Sequence, residues 1–185
     1  MDSKIKAFTI WSFTICSFIL SLSLTGCKEN KWAEWKVQNE IWLDYNKGLA
    51  GVKVTDSGLQ YKIVADPTPQ DARPNTTSTV ICDYKLYLIN NYDAKEGPKG
   101  SPLEEGRAIT LNLASTISGF AEGCHRIHNN GDIILYIPAY LGYDKTKYDS
   151  NEYYDAEGSG TEGTQSYIPP YSTLIYEIHL CGVTD

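Results

Sequence analysis

Apolar positions recur along this chain with two different periods, and the change of period divides it. Over residues 30–46, Trp32, Trp35, Trp42 and Tyr45 return at a spacing that keeps them on one helical face, while Lys31, Glu34, Lys36, Glu40 and Asp44 take other positions. Gly48 and Gly51 follow as stop signals. Three tryptophans on one short helix are too apolar to leave in water, so the stripe is expected to dock, either on its own domain or on another molecule. From residue 52 the period falls to two. After the turn signal Asp56-Ser57-Gly58, the run Leu59-Gln60-Tyr61-Lys62-Ile63 alternates as a half-buried strand does. Pro67, Pro69 and Pro74 mark a loop. Residues 79–89 carry the longest strand pattern, with Val80, Cys82, Tyr84, Leu86 and Leu88 on one face and Ile81, Asp83, Lys85, Tyr87 and Ile89 on the other. Further strands are expected over 107–113, 132–137 and 173–183, and Leu174, Tyr176, Ile178 and Leu180 share a face of the last. Residues 118–129 suit a short helix closed by Gly131. Strands separated by turns, with one short helix late in the chain, describe an α+β domain with a largely antiparallel sheet.

The first residues read as an address rather than as part of that fold. Lys4 and Lys6 precede an uncharged run over 7–24, close to the roughly 20 residues that span a bilayer. Its many serines and threonines make it a poor permanent anchor. It ends in Leu24-Thr25-Gly26-Cys27, which resembles the lipobox of bacterial lipoproteins, whose cysteine sulfur receives a diacylglycerol. That resemblance implies a chain starting at Cys27 and tethered to the bacterial envelope, at the periplasmic face or the outer membrane. The other reading is a chance tetrad in an uncleaved anchor. The expected organisation is a signal over 1–26, a tether with the amphipathic helix over 27–51, and one domain over 52–185.

Composition narrows the function classes. With 185 residues, 42% apolar and 21% charged, the chain is neither disordered, nor a coiled coil, nor a multi-pass membrane protein. A formal charge of -7 argues against nucleic acid as a partner, which needs a basic face. The same charge is repelled by anionic lipid, so any membrane attachment falls to lipidated Cys27. Cys82, Cys124 and Cys181 are an odd number, and the strand patterns put Cys82 and Cys181 on different faces, so unpaired, buried or half-buried thiols are expected. His125 and His128 lie three apart on the expected helix but have no third ligand at a recognisable spacing, so they read as surface histidines and no metal is expected. The nucleophile-elbow, zinc-protease and phosphate-loop motifs do not occur. The run 144–166 is long, with Asp144, Asp149, Glu152, Asp155, Glu157 and Glu162 against Lys145 and Lys147, but its spacing does not match a calcium loop.

One ordered set of residues remains: Ser57-Gly58-Leu59-Gln60-Tyr61, Cys82-Asp83-Tyr84, Tyr92-Asp93, Ile117-Ser118-Gly119-Phe120, Ile137-Pro138, Leu141-Gly142-Tyr143, Ile168-Pro169-Pro170 and Thr173-Leu174-Ile175-Tyr176. Over about residues 52–185 this set resembles the FKBP-type peptidyl-prolyl cis-trans isomerases, particularly their exported bacterial members. The resemblance implies a curved antiparallel sheet, a half-barrel, wrapped around a short helix, here with an added N-terminal helix. It implies isomerisation of the bond before proline in unfolded or extended polypeptides, without a cofactor. The expected catalytic residues are Tyr84, Asp93, Phe120, Tyr143 and Tyr176, with Phe120 as the pocket floor where the family typically has Trp. Tyr92, Ile109, Leu111, Ile117 and Ile168 are the expected substrate-binding residues, with Asp93 as the polar wall beside Tyr92. Tyr92 and Tyr176 stand where Phe is usual and make the pocket more polar, which leaves open a binding or chaperone module of the same fold with little activity.

Overall fold

The structure, a computed structural model, describes residues 32–67, 70, 73–143 and 168–184. The leader, Cys27 and the acidic run 144–166 lie outside the described residues. Six strands form one antiparallel sheet in the order β1 (Lys53–Val54), β2 (Gln60–Ala65), β7 (Asp132–Ile137), β8 (Leu174–Thr184), β3 (Thr79–Tyr87), β6 (Glu104–Asn112). The sheet ends at β1 and β6 and does not close into a barrel. A separate hairpin pairs β4 (Tyr92–Asp93) with β5 (Gly97–Pro98). Among the described residues two α-helices accompany the sheet, α1 (Ala33–Asn46) and α2 (Ser118–Cys124). Among the described residues no helix is long and apolar enough to cross a membrane.

Strand alternation sorts the side chains onto two faces. Val80, Cys82 and Leu86 of β3, Leu135 and Ile137 of β7, and Leu174, Tyr176, Ile178 and Leu180 of β8 build the main core. Full burial of each such aliphatic chain contributes about 1.5–3 kcal/mol. Phe120 and Cys124 of α2 complete this core. The helix comes close because Gly119 and Gly123 face β7. A Cβ on Gly119 would stand 2.4 Å from Ile137 Cγ2, and one on Gly123 2.3 Å from Leu135 Cδ1. Glu122 fixes the helix lengthwise: it accepts the Ser57 hydroxyl at 2.6 Å and pairs with Arg126 at 3.1 Å.

The other face carries a smaller cluster of Tyr87, Tyr92, Tyr136 and Ile175, against which Trp42 and Leu43 of α1 pack. The tryptophan stripe therefore docks on the chain's own sheet. Trp42 meets Tyr136 at 5.7 Å between ring centroids, and Trp35 Nε1 donates to Ser172 Oγ at 3.0 Å. Polar bonds do the rest. The Thr173 backbone N–H donates to Asn39 Oδ1 at 2.6 Å, Asn46 Nδ2 donates to Gln60 Oε1 at 2.9 Å, and Gln60 Nε2 donates to the Leu43 carbonyl at 3.0 Å. Asn39 and Asn46 are the most buried residues of the helix, whereas Tyr45, expected on the docked face, is 49% exposed and lies under the Lys95 ammonium. The stripe drifts around the helix, so Tyr45 leaves the contact while Asn46 enters it.

Two expectations need correction. The second helix ends at Cys124, not at residue 129. His128, expected at the surface, is 6% exposed and bonds to Asp66 through Nδ1 at 2.8 Å, while Arg73 Nε donates to its Nε2 at 3.2 Å. An arginine N–H can only donate, so Nε2 is the acceptor and Nδ1 carries the proton that meets Asp66. This histidine pins the loop after β2 to the end of α2. Cys82, Cys124 and Cys181 are unpaired, the first two buried and the third half-buried.

Candidate functional site

A cavity of about 430 Å³ opens between α2 and the ends of β3, β6 and β8. Its walls are Tyr84, Tyr176, Phe120, Leu111, Ile117 and Tyr143, with Glu104, Ser115 and Thr116 at the polar side. The size lies within the roughly 300–1,000 Å³ of small-ligand pockets. Phe120 is set by its helix: Ile117 is the N-cap, so the first turn of α2 carries the ring into the core while the glycines hold the helix down on β7. Phe120 meets Tyr176 edge-on at 5.3 Å and 81°, and Tyr176 in turn meets Tyr84 at 5.8 Å. Such aromatic contacts fix ring orientation as well as burying area.

The polar side has a definite anchor. The Tyr84 hydroxyl donates to the Glu104 carboxylate. Burial first, then this bond and the Glu104 charge, push the Tyr84 phenol well above its ordinary value. Tyr176 is raised as well, by burial and then by Tyr143, Glu104 and Tyr84. Both phenols stay neutral near pH 7, so the cavity offers aromatic walls and neutral hydroxyls. Ile117, as N-cap, has a backbone N–H that precedes the helical ladder. The arrangement can take up an apolar ring and present hydrogen-bond donors to flanking carbonyls.

Six of the ten expected site residues line this one cavity: Tyr84, Leu111, Ile117, Phe120, Tyr143 and Tyr176. The other four are not brought to it. Tyr92 lies in the cluster on the opposite face, its ring against Tyr87 at 5.4 Å and its hydroxyl donating to Glu177 at 3.2 Å. Asp93 lies beside it in the hairpin as a turn residue. The backbone N–H groups of Lys95 and Glu96 donate to its carboxylate at 2.9 and 3.1 Å, and Lys99 pairs with it at 3.0 Å. Lys95's N–H, then Lys99 and Glu96's N–H, hold its carboxyl at about 2. Ile109 sits on edge strand β6, 37% exposed, on the same face as Leu111 but not in the cavity lining. Ile168 packs against the main core but not in the wall. Of the lining residues that sequence reasoning missed, Glu104, Ser115 and Thr116, the one that bonds to the side chain of an expected site residue is Glu104. It precedes the expected strand 107–113, in a Pro-Leu-Glu-Glu-Gly stretch that reads as loop, and only the pairing of Leu86 with Glu104 reveals its place. Among the described residues no cluster of His, Cys, Asp and Glu is suited to a metal ion.

A shallower depression of about 440 Å³ lies on the opposite side of the sheet, lined by charged residues such as Asp83, Arg107 and Asp132 together with His179, Val64 and Ile134. Of the aromatic residues of the first cavity it shares only Tyr84.

Residues 70–181 match the family model described as FKBP-type peptidyl-prolyl cis-trans isomerase, and residues 23–63 match the domain amino terminal to it. The FKBP-type peptidyl-prolyl cis-trans isomerase FkpA of Buchnera aphidicola subsp. Acyrthosiphon pisum is 32% identical over 149 residues, covering 80% of this chain and 52% of that protein. The outer membrane protein MIP of Legionella longbeachae is 29% identical over 157 residues, covering 83% and 57%. The chain thus spans about half the length of the curated relatives it matches. Among solved structures, FkpA from Escherichia coli superposes with a TM-score of 0.63 at 23% identity over 98% of this chain and 70% of that one. A peptidyl-prolyl cis-trans isomerase from Pseudomonas syringae pv. tomato gives 0.62 at 19% identity, over 82% and 96%. At such identities the likeness is one of fold.

Proposed function

We propose, from the premise that this chain belongs to the FKBP-type peptidyl-prolyl cis-trans isomerase family, that it accelerates rotation about the bond before proline in exported polypeptides. The observation that carries this reading is the cavity in which Phe120, Tyr84 and Tyr176 meet across helix and sheet. Rotation about an amide is opposed by resonance, with a barrier of about 18–20 kcal/mol. Twisting the bond uncouples the nitrogen lone pair and makes the amide less polar. A water-poor aromatic cavity therefore disfavours the planar ground state relative to the twisted one. Hydrogen bonds to the flanking carbonyls hold the chain while the ring is gripped. In this assignment Phe120 is the floor, Tyr84 and Tyr176 are walls, Leu111 and Ile117 complete the apolar surface, and the Tyr143 hydroxyl and Ile117 N–H meet the carbonyls. No nucleophile, metal or cofactor is called for.

The test is acceleration of isomerisation of a Phe-Pro peptide by the full chain. Catalysis above the spontaneous rate is expected, and none at all would overturn the enzyme reading. Tyr143→Phe keeps the ring and removes a neutral hydrogen bond worth about 0.5–1.5 kcal/mol. It should slow turnover roughly threefold to tenfold at a nearly unchanged melting temperature. The second reading is a binding module of the same fold, favoured by the carboxylate and hydroxyls on the polar side of the cavity. Peptide binding without acceleration would select it.

The cellular setting belongs to the same proposal. A lipid on Cys27 would tether the domain to the bacterial envelope, a reading supported by the Leu24-Thr25-Gly26-Cys27 tetrad and by a relative named an outer membrane protein. Residues 1–26 would be removed, 27–51 would bear the tether and α1, and 52–185 would form the catalytic domain.

A further inference from the structure

The register of β6 against β3 changes in mid-strand, and the change decides which residues reach the cavity. Partners across an antiparallel pair share a face. On β3 the core-facing residues Leu86, Tyr84, Cys82 and Val80 stand opposite Glu104, Gly106, Ile109 and Leu111. One residue, Asp83, separates Tyr84 from Cys82, but two, Arg107 and Ala108, separate Gly106 from Ile109. This is a β-bulge: two residues on one strand oppose one on the other. Side chains alternate with a period of two, so without the extra residue the face that begins at Glu104 and Gly106 would continue through Ala108, Thr110 and Asn112. With it, the face continues through Ile109 and Leu111. Glu104, which holds the Tyr84 hydroxyl, and Leu111, which walls the cavity, line the same pocket because of this one insertion.

The bulge has a cost and a visible support. Ala108 adopts φ 49, in the left-handed region that disfavours any residue with a Cβ. Its backbone N–H, freed from the ladder, donates to Asp83 Oδ1 at 2.7 Å. Asp83 is the residue directly opposite the insertion, and its side chain points away from the cavity, where Arg107 also lines the charged depression. The Cys181 thiol lies 3.9 Å from the same oxygen, a far weaker partner. We propose that Asp83 is a positioning residue for the site: by capping the Ala108 amide it holds the β6 bulge, and through the bulge it places Glu104 and Leu111 on the cavity face. The functional half of this proposal rests on the isomerase reading.

The experiment compares Asp83→Ala, Asp83→Asn and the double variant Asp83→Ala with Ala108→Gly in the full chain. Asparagine keeps an acceptor oxygen, and glycine adopts the left-handed conformation without penalty. Turnover of a Phe-Pro peptide and cross-strand nuclear Overhauser contacts between Cys82 and Ile109 and between Tyr84 and Gly106 are read together. Asp83→Ala should lose about fivefold in kcat/KM and weaken the Cys82–Ile109 contact. Asp83→Asn and the double variant should return to within about twofold of the parent in both readouts. Unchanged turnover and contacts in Asp83→Ala would overturn the proposal. So would a loss that neither asparagine nor glycine recovers, because that marks general damage rather than a lost cap. If the parent chain shows no turnover, the isomerase reading fails by itself. The contacts then decide the bulge alone: lost in Asp83→Ala and recovered by glycine in its favour, kept in all variants against it.

Discussion

Gly106 shows how narrowly a single position can govern the site. A Cβ there would stand 2.6 Å from Ile109 Cγ1 and 2.7 Å from Tyr84 Cε1, closer than atoms approach. Gly106→Ala should therefore push the Tyr84 ring off its bond with Glu104. Overpacking of this kind costs typically about 1–3 kcal/mol, and on the proposed isomerase reading a wall ring displaced by a fraction of an ångström should lower turnover by roughly tenfold. A denaturation midpoint and the peptide assay measure the two effects separately. At this scale the sequence was most informative about residues whose environment is set locally. Phe120 and Ile117 follow from the N-terminus of one short helix, and Tyr84 and Tyr176 from strand alternation. It was misleading for Tyr92 and Asp93, because their placement depends on a hairpin whose fold-back is settled by Asp93's own turn bonds and by Tyr87 and Tyr136 across the sheet. Nor does alternation foresee a bulge, so Glu104 could not be placed on the cavity face by counting.

The same contrast holds for whole elements. The period of three and four located α1, and the apolar stripe said that it docks, but the bonds that seat it belong to residues a hydropathy pattern assigns to water. Asn39 and Asn46 are buried because each finds a partner from a distant segment, Thr173 and Gln60. Asn39→Ala leaves the buried Thr173 N–H without its acceptor, which costs about 1–3 kcal/mol. Trp35→Phe keeps most of the packing and removes only the bond to Ser172, about 0.5–1.5 kcal/mol. The asparagine change should be the more destabilising of the two, read as a lower urea midpoint at unchanged slope. Trp32, Trp35 and Trp42 are all partly buried on α1. Native tryptophan emission should accordingly be blue-shifted and move to the red on unfolding. Emission at the fully exposed limit in the native protein would mean that α1 is undocked in solution.

For the molecule as a whole, the fold class was legible because strand patterns, turn signals and one short helix leave few architectures. The strand order was not, because β2 pairs with β7 and β3 with β8 across long stretches of chain, and no local signal encodes such partners. The proposed lipid anchor is a whole-molecule property too: Cys27→Ser should abolish lipid labelling and leave an unprocessed precursor, observed by mass. The pH dependence of stability also sums over distant groups. Burial would raise the Asp66 carboxyl, but the backbone N–H and ring of His128 and the charge of Arg73 outweigh it and hold it below its ordinary value. Glu122 is likewise lowered, burial being outweighed by Ser57, Thr55 and Arg126, and Asp93 is held at about 2 by its turn bonds. A carboxyl with a depressed folded pKa releases its proton more readily in the folded state. Its stabilisation is complete above the unfolded value of about 4 and disappears as pH falls through the folded value. The tyrosines act with the opposite sign. Burial pushes Tyr136 up to about 12 and raises Tyr84, Tyr92 and Tyr176 as well, so folding resists their ionisation and stability falls as pH rises above about 10. Burial also raises the Cys82, Cys124 and Cys181 thiols, so unfolding midpoints should be flat from about pH 5 to 8, drop towards pH 2, begin to fall from about pH 8.5 and fall more steeply above about pH 10. Asp66→Asn removes one of the depressed carboxyls while leaving an oxygen for the His128 N–H. It should lower stability at neutral pH and make the acid limb shallower, with the alkaline limb unchanged. An acid limb as steep as the parent's would show that the Asp66–His128–Arg73 arrangement contributes nothing to acid sensitivity.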